Sequence, residues 1–197
     1  MLERLALTLA HQVKALNAEE TESVEVLTFG FTIILHYLFT LLLVLAVGLL
    51  HGEIWLFLQI ALSFTFMRVL TGGAHLDHSI GCTLLSVLFI TAISWVPFAN
   101  NYAWILYGIS GGLLIWKYAP YYEAHQVVHT EHWERRKKRI AYILIVLFII
   151  LAMFMSAQGL VLGVLLQGGL LTPIGLKVTR QLNRFILKGG ETNEENS

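Results

Sequence analysis

The residues best suited to chemistry lie in one short break between apolar runs, from Arg68 through Thr71, Gly72, Gly73, Ala74, His75, Asp77, His78, Ser79 and Gly81 to Cys82. This break holds the chain's one cysteine and two of its eight histidines. A thiol and an imidazole are the minimum set for a cysteine protease, because the base must activate the nucleophile and then protonate the leaving amine. On a continuous helix at about 1.5 Å per residue, His75 and Cys82 would stand about 10 Å apart along the axis. That is too far for a hydrogen bond, so the pair requires a bend, and Gly72, Gly73 and Gly81 are the places for one. Ser79 is placed to cap a helix beginning near Cys82, and backbone N–H groups at a helix start stabilise a thiolate. His78, four residues from Cys82, is an alternative base, and Asp77 or His78 could orient His75. Arg68 either holds a substrate carbonyl or carboxylate or anchors the end of a span by snorkelling. A cysteine at such a place can equally be a small, inert buried residue.

The elements that position these residues belong to a membrane protein. Of 197 residues 56% are hydrophobic and 13% charged, about half the charged share of a soluble domain. Mean hydropathy is +0.69. A formal net charge of zero removes any global argument for nucleic acid, and one cysteine cannot form an intrachain disulfide. The pattern predicts an all-α integral membrane bundle of about six transmembrane helices, over 26–50, 54–71, 82–99, 102–119, 140–156 and 159–178. Leu2, Leu5, Leu9, Val13 and Leu16 recur at spacings of three and four, which predicts an amphipathic interfacial helix over 1–17 rather than a cleaved signal peptide. Residues 1–188 then form one membrane-embedded domain, and 189–197 an acidic, disordered tail.

Charge supplies an orientation. With both termini cytoplasmic, all 13 Lys and Arg residues fall inside or at the inner end of a span, and the turns at 51–53, 100–101 and 158 carry none. Cys82 and His75 then lie near the cytoplasmic face of the cell membrane. The 120–139 loop ends in the basic block Arg135, Arg136, Lys137, Lys138 and Arg139, which either contacts anionic lipid or docks an acidic partner segment. Lys177, Arg180, Arg184 and Lys188 form a second basic stripe. His125, His129 and His132 have spacings a metal could use, but without a His-Glu-x-x-His motif no metal or other cofactor is expected.

The segment Arg68-x3-Gly72-Gly73-x-His75-x6-Cys82, the Tyr118-Ala119-Pro120 end of a span, the basic 135–139 block and the length near 200 together resemble the accessory gene regulator B (AgrB) family of Gram-positive bacteria. That resemblance implies a membrane cysteine endopeptidase of peptide quorum sensing. It implies Cys82 as nucleophile and His75 as general base and acid, with Arg68, Gly72 and Gly73 shaping the site or contacting substrate. The implied partner is a small AgrD-like propeptide with an amphipathic helix and an acidic C-terminal tail, for which Arg135–Arg139 is a docking site. The implied product is a peptide cyclised to a thiolactone or lactone through an acyl-enzyme thioester. The resemblance also allows a homodimer. Two other classes compete: a small transporter whose polar pathway is lined by His75, Asp77 and His78, and a membrane scaffold whose basic faces dock an anionic partner.

Overall fold

The computed structural model describes residues 2–17, 21–74, 79–97, 102–122 and 130–194, with the side chains of Ser79 and of 185–194 outside that description. All the named elements are helices: α1 Leu2–Leu16, α2 Val24–Leu50, α3 Ile54–Thr71, α4 Ser79–Ser94, α5 Ala103–Tyr118, α6 Glu131–Met155, α7 Gly159–Leu171 and α8 Pro173–Glu194. The chain divides into two compact units, 1–43 and 44–197, and α2 passes from the first into the second.

In the first unit α1 is the expected N-terminal helix. Ala6 and Ala10 are fully buried, while Leu5, Leu7 and Leu16 are exposed. The Lys14 ammonium donates to the Thr21 carbonyl at 2.7 Å, tying the helix to the connector that follows. Along α2 the hydroxyls of Thr28, Thr32 and Thr40 donate to carbonyls one turn back, which hides polar groups that an apolar surrounding would leave unpaired.

The second unit is built around α7. Ten of its 13 residues are buried, as expected of a helix that is apolar on every side. One core joins Phe57, Ile60 and Phe64 of α3 and Ile90 of α4 to Leu162 and Leu166 of α7. A second joins Met67, Ile115, Ala141, Ile145 and Phe148 to Leu160, Val164 and Leu171. Small residues bring the helices close: a side chain on Gly163 would collide with Ser63 of α3, and one on Gly168 would meet the Gly111 carbonyl of α5 at 2.7 Å. Apolar helices in a membrane associate through such close packing.

The contacts also fix direction. Gly159 lies at Gln59, Gly163 at Ser63, and Gln167 at Thr71, so α3 and α7 run parallel. Gly108 lies at Val161 and Gly111 at Leu165, so α5 runs with them, while Ile149 at Gly108 and Ile145 at Gly112 set α6 antiparallel. The ends of α3, α5 and α7 and the starts of α6 and α8 therefore share one end of this unit. The turn at His51 shares the other with Trp95, whose ring lies 6.2 Å away.

Among the described residues three helices, α2, α3 and α6, are long and apolar enough to cross a bilayer, or four if the bent pair α7–α8 counts as one span. The expected continuous span over 159–178 is broken: α7 and α8 meet at 77°. The break is local chemistry, since Pro173 supplies no N–H to continue the α7 ladder and Thr172 takes an extended conformation, with φ −64° and ψ 156°. The basic block, expected in a loop, belongs to a helix that already begins at Glu131.

Candidate active site

α3 ends at Thr71 and α4 begins at Ser79, so Cys82 lies in the first turn of its own helix. The described turn lies at Gly72 and Gly73, ahead of His75, whereas Gly81, the third expected bend, lies within α4. Gly72 takes φ 74° and ψ −153°, and Gly73 takes φ 139°. His75, Asp77 and His78 lie outside the described residues, as do the loop histidines His125 and His129.

Two neighbours clasp the Gly-Gly turn. Tyr121, just past the end of α5, pairs with it as a short parallel bridge. The Gly73 N–H donates to the Tyr121 carbonyl at 3.0 Å, and the Tyr121 N–H donates to the Thr71 carbonyl at 3.1 Å. From the other side Gln167 of α7 donates to the Thr71 hydroxyl at 2.9 Å and to the Gly72 carbonyl at 2.8 Å. Neither clasp was legible in the sequence, because each partner is far along the chain and has no motif of its own.

Arg68 turns back into the site. Its guanidinium donates to the Ala74 carbonyl, lies 5.7 Å from the centre of the Phe64 ring, and passes under Gly73, where a side chain would meet it at 2.8 Å. Arg68 is thus part of the turn's scaffold.

The half-buried Cys82 lines a pocket with Phe64, Arg68, Ala74, Ser86, Phe89 and Thr179. The cavity is about 20 Å³, room for a water-sized group and too little for a peptide. Ser86 sits one turn beyond Cys82 on α4 and adds a hydroxyl to the lining. Thr179 comes from α8, whose Arg180 guanidinium donates to the Tyr121 hydroxyl and lies 5.9 Å from its ring centre.

The basic block does not act as one surface. Lys138 donates to the Trp116 and Ala119 carbonyls, both at 3.1 Å, and so caps the C-terminus of α5. Lys137 reaches the Tyr122 hydroxyl at 3.3 Å and lies 3.7 Å from Glu134. Burial, then the 2.8 Å hydrogen bond it donates to Glu134, push the Tyr122 phenol well above its ordinary range, so it remains a donor. Arg135, Arg136 and Arg139 are exposed; Arg135 pairs with Glu131 one turn back, and Arg136 lies over the Trp133 ring.

The family profile described as accessory gene regulator B (AgrB) matches residues 3–171. The chain belongs to the AgrB family. This is a family of membrane-associated proteins of accessory gene regulator quorum sensing, which work with an AgrD-type propeptide. An AgrB-like protein from Halalkalibacterium halodurans is 98% identical over the full length of both chains. The accessory gene regulator protein B of Staphylococcus saprophyticus is 27% identical over 74% of this chain and 79% of its own. AgrB-like protein 2 of Clostridium perfringens is 23% identical over 71% of this chain and 70% of its own. No solved structure matches the chain. The AgrB match ends with the last residue of α7, so Thr179 and Arg180 reach the pocket region from beyond it.

Proposed function

We propose that this AgrB protein is a membrane cysteine endopeptidase that cleaves the C-terminal part from an AgrD-type propeptide and promotes its cyclisation. The observation that carries this reading is the setting of Cys82: the chain's one thiol, in the first turn of α4, lining one pocket with Arg68 and Ala74, the latter followed directly in sequence by His75. Cys82 sulfur attacks the scissile carbonyl while His75 takes the thiol proton, and His75 returns that proton to the leaving amine as the amide bond breaks. The propeptide's N-terminal part is then held as a thioester. A cysteine thiol within that peptide attacks the same carbonyl, forming the thiolactone and releasing Cys82. A serine hydroxyl in the same role forms a lactone.

Thioester formation from an amide is uphill, so water must be excluded and the internal nucleophile held close. Phe64, Leu85, Phe89 and Leu170 give the pocket apolar walls, while Arg68 and Ser86 supply donors for the carbonyl oxygen as it gains charge. Arg135, Arg136 and Arg139, the outward part of the basic block, receive the acidic tail, with both chain termini on the cytoplasmic side.

The test is co-production with an AgrD-type propeptide and detection of the released C-terminal fragment. Cys82→Ala and, separately, His75→Ala should abolish release while the protein still accumulates in the membrane. Continued release by Cys82→Ala would overturn the reading. Loss in His78→Ala with activity in His75→Ala would transfer the base to His78.

A further inference from the structure

We propose that Gln167 is a positioning residue for the reaction at Cys82, acting through the backbone that leads to His75. The proposal rests on the reading of Cys82 and His75 given above. An amide in the middle of an otherwise apolar, buried helix is costly unless its groups are paired, and Gln167 is fully buried. Its amide nitrogen makes two hydrogen bonds, to Thr71 Oγ1 at 2.9 Å and to the Gly72 carbonyl at 2.8 Å. The Thr71 hydroxyl gives its own proton to the Met67 carbonyl at 2.7 Å, so it is oriented to accept from Gln167. Tyr121 holds the opposite edge of the same residues through the Thr71 carbonyl and the Gly73 N–H. Gripped on both sides, the Thr71–Gly73 backbone fixes where the chain departs toward His75.

Helix packing does not account for this residue. α3 and α7 are already tied by the Gly159 N–H to Gln59 Oε1 bond at 3.0 Å and by the close approach of Gly163 to Ser63. A methionine at 167 would fill the same volume without a buried polar group. Gln167 Oε1, moreover, is buried without a hydrogen-bond partner among the described residues, a polar cost that an apolar residue of the same size would not carry.

Because Cys82 is the one cysteine, alkylation of the full-length protein in liposomes by iodoacetamide reports on it alone. The pH profile of that reaction is measured for the wild type, His75→Ala, Gln167→Met and Gln59→Met, the last severing the α3–α7 tie at the far end. The Gln167→Met profile should move toward that of His75→Ala, with a rate at neutral pH lower by about tenfold, the effect of a one-unit displacement. Gln59→Met should keep the wild-type profile. If His75→Ala displaces the profile and Gln167→Met does not, or if Gln59→Met displaces it equally, the proposal is overturned while the cysteine–histidine reading stands. If His75→Ala leaves the profile unchanged, that reading fails and the proposal with it. Should Gln167→Met not accumulate, Thr71→Val, which removes the hydroxyl that receives the amide, carries the same test with the same outcomes.

Discussion

At the scale of the residue, Gly72 bears the strictest demand. Its φ of 74° and ψ of −153° lie in a region essentially reserved for glycine, costing other residues about 1–3 kcal/mol. A Cβ there would also fall on the Tyr121 carbonyl. Gly72→Ala should therefore open the clasp and displace the segment leading to His75. Propeptide cleavage should fall by about a hundredfold, the scale of a misplacement of about 1 Å. Gly30→Ala is the matched control, because nothing lies within 4 Å of its side-chain position and alanine favours a helix. Equal cleavage by both variants, measured per amount of membrane-inserted protein, would show that the turn does not position the site. The sequence marked Gly72, Gly73 and Gly81 as places for a bend because two residues about 10 Å apart on a straight helix cannot react; the turn is at the first two, and Gly81 lies within α4. It could not show what holds the bend, since Tyr121 and Gln167 are brought there only by packing.

At the scale of the element, α6 decides how much of the basic block can meet a partner. Successive residues on a helix are about 100° apart, so five in a row cannot share a face. Arg135, Arg136 and Arg139 are exposed, whereas Lys137 and Lys138 are half-buried and turned onto Tyr122, Glu134 and the end of α5. The run of charge was plain in the sequence, but reading it as a loop hid this division. Neutralising Arg135, Arg136 and Arg139 together to glutamine should raise KM for an acidic-tailed propeptide by about tenfold, from three exposed pairs at about 0.2–1 kcal/mol each. The difference should shrink as salt is added, with the unfolding temperature unchanged. Lys138→Ala should instead lower stability by about 1–2 kcal/mol through loss of charged hydrogen bonds, read as a lower unfolding temperature in detergent. A reversed pattern, with Lys138 governing KM and the arginines governing stability, would refute the division.

At the scale of the whole molecule, all-helical architecture and membrane character were legible because composition and apolar run length determine them. The α7–α8 break is marked in the sequence by Pro173, but hydropathy alone joins α7 and the first turns of α8 into one apolar run. Within residues 44–197 the parallel course of α3, α5 and α7 brings Arg68, Lys117, Arg135–Arg139, Lys177 and Arg180 to one end, beside Cys82. The exposed aromatics Trp55 and Trp95 lie toward the opposite end, as expected where a helix meets the membrane surface. Chain direction gathers these charges at one end, and by the positive-inside rule we infer that this end faces the cytoplasm. In a Cys82→Ser background, single cysteines at Glu53 and Ser156 should react with a membrane-impermeant maleimide added to intact cells. Those at Thr130 and Gln181 should react only after permeabilisation. Labelling of Thr130→Cys and Ser156→Cys from the same side would mean that α6 does not cross, and would sever the link between charge and orientation. The same topology constrains α7. With 13 residues it extends about 20 Å, against about 30 Å of hydrocarbon. A Ser156 open to the outside and a Gln181 open to the inside would then require the bilayer to thin around this unit or water to enter at the Cys82 end, where a propeptide must arrive.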